Sequence, residues 1–150
     1  MGEQASTAST IISFAENLED QSAKFYDEIA QKFKEHRETF LSYAKDSMKN
    51  KVSIIRTYQE TVTDAFETGF SFKEMNLKEY LVDASLSKND DISDILRKAV
   101  ELEEKTSRFY SVVAEKSKVL LATISTDFAR ISTKRYKRKL TIESFLAKIK

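Results

Sequence analysis

The sequence contains no cysteine, no proline and no tryptophan, and it has only two glycines and one histidine among 150 residues. Without cysteine, the chain can form no disulfide, no thiol nucleophile and no cysteine-ligated zinc or iron–sulfur site. A single histidine, His36, excludes a metal site with several histidine ligands. Sheet proteins need many turns that depend on glycine and proline, so the scarcity of both disfavours an all-β fold.

Charge is nearly balanced over the whole chain, with a formal net charge of +1, but it is unevenly distributed. Residues 1–75 carry 9 basic and 13 acidic side chains, whereas residues 118–150 carry 9 basic and 2 acidic ones. No apolar run approaches the ~20 residues of a membrane-spanning helix, and no signal-like segment opens the chain. These observations predict a cytoplasmic protein with one domain, residues 1–150, and no membrane partner.

Apolar residues recur at spacings of three and four along four long segments, which is the period of an α-helix. The predicted helices span about residues 10–34, 38–66, 92–117 and 119–148, with a crossover at about 67–91. Two helix pairs with short loops and one long connection are typical of a four-helix bundle, so the predicted fold class is all-α. The apolar stripe of the second segment is predicted to comprise Phe40, Ala44, Met48, Ile55, Tyr58 and Val62.

The first and third segments repeat each other. The sequence AENLEDQSAKFYDEIAQK at 15–32 aligns with AVELEEKTSRFYSVVAEK at 99–116 at a constant offset of 84. A glutamate followed by a Phe-Tyr pair at the same distance in both segments favours duplication of a helix hairpin over chance. The matching positions that carry functional groups are Glu19 with Glu103 and Tyr26 with Tyr110.

A glutamate seven residues before a tyrosine, in the first helix of each hairpin, resembles the rubrerythrins and the wider ferritin-like superfamily. The likeness covers roughly residues 11–148. In that family the first helix of each hairpin supplies one glutamate and the second supplies a Glu-x-x-His pair, so that six side chains bind two irons. The resemblance implies a ferritin-like bundle of two hairpins, with Glu19 and Glu103 as the single glutamates and Tyr26 and Tyr110 as core tyrosines at the site.

The other four ligand positions of the family pattern are not held by ligands. They fall on Ser47 and Asn50 in the second segment and on Arg135 and Arg138 in the fourth, and no Glu-x-x-His occurs in the chain. We therefore predict that these positions are vestigial, with no metal, no cofactor and no catalytic residue. His36 falls in the predicted loop between the first two helices and is expected to face solvent.

Arg135 and Arg138 continue the apolar stripe of the fourth segment, which comprises Ile124, Phe128, Ile131, Ile142, Phe145 and Ile149. A buried guanidinium is costly unless it is paired, and its fork matches the geometry of a carboxylate. We therefore expect both arginines to occupy the former iron space and to pair with Glu19 and Glu103. In the alternative, the fourth helix is rotated so that both arginines reach solvent and Tyr136 and Leu140 face inward.

The residues favour a non-catalytic protein, a degenerate rubrerythrin-like bundle that acts as a scaffold or interaction module. Its partner is then another protein or a second copy of the chain, as in a homodimer. One alternative is a di-iron oxidoreductase or an iron-binding protein with atypical ligands. A carboxylate site for Mg²⁺ or Ca²⁺ formed by Glu19, Asp46 and Glu103 is a variant of it, although Asp46, one residue out of frame, is expected to face solvent.

A second alternative is an anion or nucleic-acid binder that uses the basic run at 130–139. This run places lysines and arginines beside one aromatic residue, a combination that binds phosphates and bases. The acidic first half of the chain argues against a dedicated nucleic-acid binder. The side chains of the predicted basic face are Arg130, Lys134, Lys137 and Lys139.

Overall fold

The computed structural model describes residues 6–61, 71–72, 75–87, 89–118 and 122–149. Most of them belong to four helices, namely α1 (Ala8–Lys32), α2 (Arg37–Thr61), α3 (Ile92–Lys116) and α4 (Ala122–Ile149). A two-residue strand β1 (Ser6–Thr7) pairs antiparallel with β2 (Ser71–Phe72), and a single 3₁₀ turn spans Leu77–Tyr80. Over the residues described, the prediction of an all-α fold with four bundled helices is confirmed.

The helices pack as two close pairs. Helix α1 lies along α2, and α3 lies along α4, while α2 also contacts α4. One apolar cluster includes Ile11, Phe109 and Phe128, and a second includes Phe25 and Ile142. Each helix contributes apolar residues to both clusters. Along each helix, buried polar residues lie between the residues of the first cluster and those of the second. The interior therefore consists of two apolar layers with a polar layer between them.

Helix ends are fixed by side chains that satisfy free backbone groups. Thr7 caps α1, because its hydroxyl accepts a hydrogen bond from the backbone N–H of Thr10 at 3.2 Å. Asp91 caps α3 in a reciprocal arrangement with Asp94, in which each carboxylate accepts from the other residue's backbone N–H. Threonine and aspartate are among the residues preferred at the N-cap of a helix, because their side-chain oxygens accept hydrogen bonds from free backbone N–H groups.

The connection between α1 and α2 turns at His36, whose φ of 61° lies in the left-handed region. The imidazole is exposed, as expected for a loop residue, but one face of it stacks on the ring of Phe145 with 3.7 Å between centroids. This contact joins the turn to α4.

Several predicted boundaries differ from the structure. Helix α1 begins two residues earlier than predicted and ends at Lys32, where Phe33 takes an extended backbone. The predicted stretches 62–66 and 119–121, with Val62, lie outside the described residues, as do 67–70, 73–74 and 88 of the predicted crossover. Among the residues described, no helix combines the length and the apolar composition needed to cross a membrane.

Three predicted core positions are wrong. Met48 and Ile149 are 43% and 42% exposed, and Ile55 is half-buried while its neighbour Ile54 is fully buried. The inward face of helix α2 carries the polar residues Ser47 and Asn50. A face chosen from the apolar residues alone therefore differs in orientation from the face that is buried. Ile149 is the last residue of α4, at the end of the bundle.

Candidate functional site: a buried charge cluster at the centre of the bundle

Each helix contributes two polar side chains, three residues apart, to the layer between the apolar clusters. Residues spaced i and i+3 lie on one face of a helix, one turn apart, so each pair points into the same layer. All eight are at most 4% exposed. The pairs are Glu19 and Ser22 from α1, Ser47 and Asn50 from α2, Glu103 and Thr106 from α3, and Arg135 and Arg138 from α4.

Arg135 lies at the centre of this layer and is completely buried. Its Nε donates to Glu103 Oε1 at 2.5 Å, and its Nη1 donates to Glu19 Oε1 at 2.7 Å. Its Nη2 donates to Ser22 Oγ at 2.8 Å and to Glu103 Oε2 at 3.1 Å. Burial alone would lower the pKa of this guanidinium, but the two carboxylates outweigh burial and raise it above its ordinary value. Arg135 therefore stays charged and bridges α4 to both α1 and α3.

Two tyrosines donate further hydrogen bonds to the glutamates, each from one helix pair to the glutamate of the other pair. Tyr26 of α1 donates its hydroxyl hydrogen to Glu103 of α3, and Tyr110 of α3 donates to Glu19 of α1 at 2.5 Å. The two bonds are related by the 84-residue offset of the sequence repeat. Burial, reinforced by the adjacent carboxylate, raises the pKa of both tyrosines well above the ordinary value.

Arg138 lies one turn from Arg135 and is 4% exposed. Its Nη1 donates to Ser47 Oγ at 3.0 Å and lies 3.6 Å from Glu103 Oε2, while its Nη2 donates to Asp46 Oδ2 at 3.1 Å. The guanidinium carbon also lies 5.1 Å from the ring centroid of Tyr43, within the range of a cation–π contact. Arg138 thus connects the central layer to the edge of the bundle between α2 and α4.

The expectation that Asp46 faces solvent is wrong. This carboxylate is half-buried and accepts hydrogen bonds from Arg138 and from Lys134 Nζ, the latter at 2.9 Å. Partial burial alone would raise the pKa of Asp46, but the two cationic donors outweigh it and hold the pKa below its ordinary value. The same ammonium group of Lys134 donates to Asn50 Oδ1 at 3.3 Å, so Asp46 and Asn50 share one donor.

The alternative in which α4 is rotated does not describe this structure. Tyr136 and Leu140, which would then face inward, are 47% and 48% exposed. A rotation of α4 would also move the Arg135 guanidinium, which is hydrogen-bonded in the interior, away from both glutamates. The structure therefore brings Glu19, Glu103 and Arg135 together, with Arg138 bonded mainly to groups of α2.

The predicted basic face is divided between two sides of α4. Arg130 donates to Asp127 and to Ser53 of α2, and Lys134 also points toward α2. Lys139 lies on the opposite side, where it donates to Glu104 of α3 at 2.7 Å. Ten consecutive residues wind almost three times around a helix, so the basic run cannot form a single surface.

Several site residues were not predicted from the sequence. Ser22 accepts from Arg135 and donates to the carbonyl of Leu18, and it occupies the repeat position of Thr106. Within the part of the chain that is described, the buried hydroxyl of Thr106 has no hydrogen-bond partner. The spacing of three from each inward glutamate would have identified both residues as inward, although not their different surroundings.

The donor set does not fit a di-iron centre. Glu19 Oε1 and Oε2 accept from Arg135 and Tyr110, and both oxygens of Glu103 accept from Arg135 and Tyr26. The four remaining family positions hold a hydroxyl, an amide and two cations, and cations repel metal ions. Over the described ranges, no group of three or more histidine, aspartate or glutamate side chains is arranged to hold a metal.

The arrangement fixes charge within the bundle without offering a reactive group. All four oxygens of Glu19 and Glu103 are engaged, and both side chains are fully buried, so neither carboxylate is available as a base or nucleophile toward a substrate. Comparison of the chain with protein-family models, curated proteins and solved structures finds no match.

Proposed function

We propose that this chain is a ferritin-like bundle of rubrerythrin type in which Arg135 has taken the place of the di-iron centre. In this proposal α1–α2 and α3–α4 are the two hairpins of the ferritin-like fold, and the segment between α2 and α3 is the long crossover. The protein then acts as a non-catalytic scaffold or interaction module. Its partner is a protein chain, either a second copy or a different one.

The single observation that carries the proposal is the position of the Arg135 guanidinium between Glu19 and Glu103. A guanidinium is always charged near neutral pH, has no acceptor lone pair and is planar, so it bonds to two carboxylates in a fixed geometry. It has no redox chemistry and does not transfer protons in this range. A positive charge held between two glutamates therefore supplies the electrostatic stabilisation that bound cations would otherwise give them.

The paired arrangement of the layer supports the ferritin-like part of the proposal. Tyr26 bonds to Glu103 and Tyr110 bonds to Glu19, so residues at equivalent repeat positions make equivalent contacts. Such contacts are expected when two copies of one hairpin pack around an approximate twofold axis. Arg135 and Arg138 depart from this symmetry, since the corresponding family positions in α2 are Ser47 and Asn50.

Metal analysis of the purified protein tests the proposal. We expect protein expressed in medium supplemented with iron and manganese to contain neither metal in stoichiometric amount, because Arg135 fills the space between the glutamates. About two irons per chain, the content of an intact site of this family, would contradict the proposal and support the di-iron alternative.

A variant that restores the family ligands tests whether the vestigial positions are assigned correctly. The changes are Ser47→Glu, Asn50→His, Arg135→Glu and Arg138→His. We expect this variant to bind iron and to gain the near-ultraviolet absorbance of an oxo-bridged pair. A control with Arg135→Gln and Arg138→Gln removes the cations without adding ligands and should bind none. If the restored variant is helical by circular dichroism but binds no iron, the ferritin-like assignment of these positions is wrong.

A further inference from the structure

A groove of about 350 Å³ opens on the surface between α2 and α4. Its cationic side chains come from both helices, with Lys45 and Lys49 on α2 and Lys134, Lys137 and Arg138 on α4. We call these five residues the basic groove. The hydroxyls of Ser42 and Thr141 also border it. It is separate from the buried cluster, although Arg138 contributes to both.

Charge in the basic groove is far from balanced. Among the described residues, Asp46 is the one carboxylate that lines the groove with the five cations, and it is already bonded to Lys134 and Arg138. The ammonium groups of Lys45, Lys49 and Lys137 are exposed and, within the described part of the chain, form no ion pair. The chain as a whole has a net charge of only +1, so this groove concentrates positive charge locally.

The same helix interface is balanced elsewhere. Closer to the start of α4, Asp127 accepts hydrogen bonds from Arg130 and from Ser53 and Thr57 of α2. There a cation is paired with a carboxylate of its own helix, whereas in the basic groove cations of α2 lie opposite cations of α4. Like charges at i,i+4 on a helix, such as Lys45 and Lys49, destabilise it, and cations facing them across a concave surface add to the local potential. A bound anion would remove this repulsion.

We propose that the basic groove binds a compact phosphorylated anion, such as a small phosphate ester or pyrophosphate. Lysines on both helices would contact a ligand in the groove from two sides. The volume of the groove is in the range of sites that bind small molecules. Arg138 is held in place at the groove by Asp46, Ser47 and Tyr43, so it offers a preorganised charge. Sites for single-stranded nucleic acid also present aromatic rings for stacking, but Tyr43 is half-buried beside Arg138 and lies within the bundle edge.

Calorimetric titration of the full chain with inorganic pyrophosphate at low salt tests this proposal. We expect saturable binding of one pyrophosphate per chain, and weaker binding as sodium chloride is added. The variant Lys49→Gln with Lys137→Gln removes two exposed cations from opposite walls of the groove. Its affinity should be lower by about tenfold, as expected for the loss of two partly screened charges.

The matched control removes the same charge from residues that do not line the groove. Lys24 on α1 and Lys116 on α3 are exposed, and Lys24→Gln with Lys116→Gln changes the net charge equally. This control should bind pyrophosphate like the unmodified chain. Equal loss in both double variants, or no saturable binding by the unmodified chain, would overturn the proposal. So would binding of a single-stranded oligonucleotide without binding of pyrophosphate, which would assign the groove to a polymer. None of these outcomes depends on whether the chain binds iron.

Discussion

At the scale of single residues, Arg135 shows how a full charge is accommodated in a helix bundle. Moving a guanidinium out of water is costly, and only close pairing with further hydrogen bonds compensates for it. Here Glu19 and Glu103 carry two negative charges, and Arg135 and Arg138 carry two positive ones. Because these four charges cancel and their polar atoms are bonded, the layer is neutral as a unit. Removing any one member leaves a buried charge without compensation.

Replacement of Arg135 by methionine therefore should destabilise the protein strongly. We expect Arg135→Met to lower the free energy of unfolding by about 3–5 kcal/mol, the usual cost of leaving buried charges unpaired. Urea unfolding followed by circular dichroism measures the change. The control is Arg130→Met, which breaks a pair whose arginine is 48% exposed and should cost no more than about 1 kcal/mol. Similar losses in the two variants would contradict this account of the central layer.

At the scale of elements, α3 begins at a well-defined point. The carboxylates of Asp91 and Asp94 each accept a backbone hydrogen bond from the other residue, so two of the free N–H groups at this end are satisfied. The segment before α3 is bonded to the helix through Lys98. Its ammonium group donates hydrogen bonds to the carbonyl of Ser85 and to the carboxylate of Asp90. The start of α3 is thereby fixed relative to the segment that precedes it.

The substitution Asp91→Ala should reduce stability by about 1 kcal/mol, because it removes the acceptor for the backbone N–H of Asp94. Thermal or urea unfolding detects a change of this size. Asp91→Ser keeps a capping oxygen and is expected to remain within a few tenths of the original stability. If alanine and serine have the same effect at this position, the cap contributes nothing measurable to α3.

Helices α2 and α4 show what the sequence could and could not reveal. In α4 the spacing of apolar residues predicts that Arg135 and Arg138 face inward, and both are buried. In α2 the same reasoning selects Met48, which is exposed, because the inward face carries Ser47 and Asn50 instead. Spacing identifies an inward face only when its residues are apolar or when a second pattern, here the family resemblance, indicates it.

Partners across helices were harder to predict than faces within a helix. The sequence placed Asp46 on the second predicted helix and Arg138 on the fourth, but it did not indicate that they meet. Spacing fixes neither the relative height nor the rotation of two helices. The bond from Lys134 to Asp46 is equally non-local, since the partners are 88 positions apart in the sequence. Long flexible side chains also leave several partners within reach until the backbone is known.

At the scale of the whole molecule, the central layer joins the two helix pairs. Tyr26 and Tyr110 each reach from one pair to the other, and Arg135 connects α4 to α1. Neither pair can separate from its neighbour without exposing these bonded groups. We therefore expect the bundle to unfold as one unit.

This connection makes stability sensitive to alkaline pH. Burial raises the pKa of Tyr26 and Tyr110 well above 10.0, whereas in the unfolded chain both titrate near about 10. The folded state therefore keeps protons that the unfolded state releases, and stability falls as pH rises above about 10. Urea unfolding at about pH 8 and at about pH 11 measures the decline. The variant Tyr26→Phe with Tyr110→Phe should show a shallower decline, and an unchanged decline would exclude these tyrosines as its cause.

The pair of buried arginines in the middle of α4 has a consequence for how the helices align. Between apolar layers, one aliphatic side chain can replace another with little loss, so a bundle with a purely apolar core tolerates a slip along the helix axis. A slip of α4 by one turn, about 5.4 Å, in either direction would carry one of the two arginines out of the polar layer and into an apolar cluster. The two arginines together therefore select one alignment of α4 among several that hydrophobic packing alone would accept.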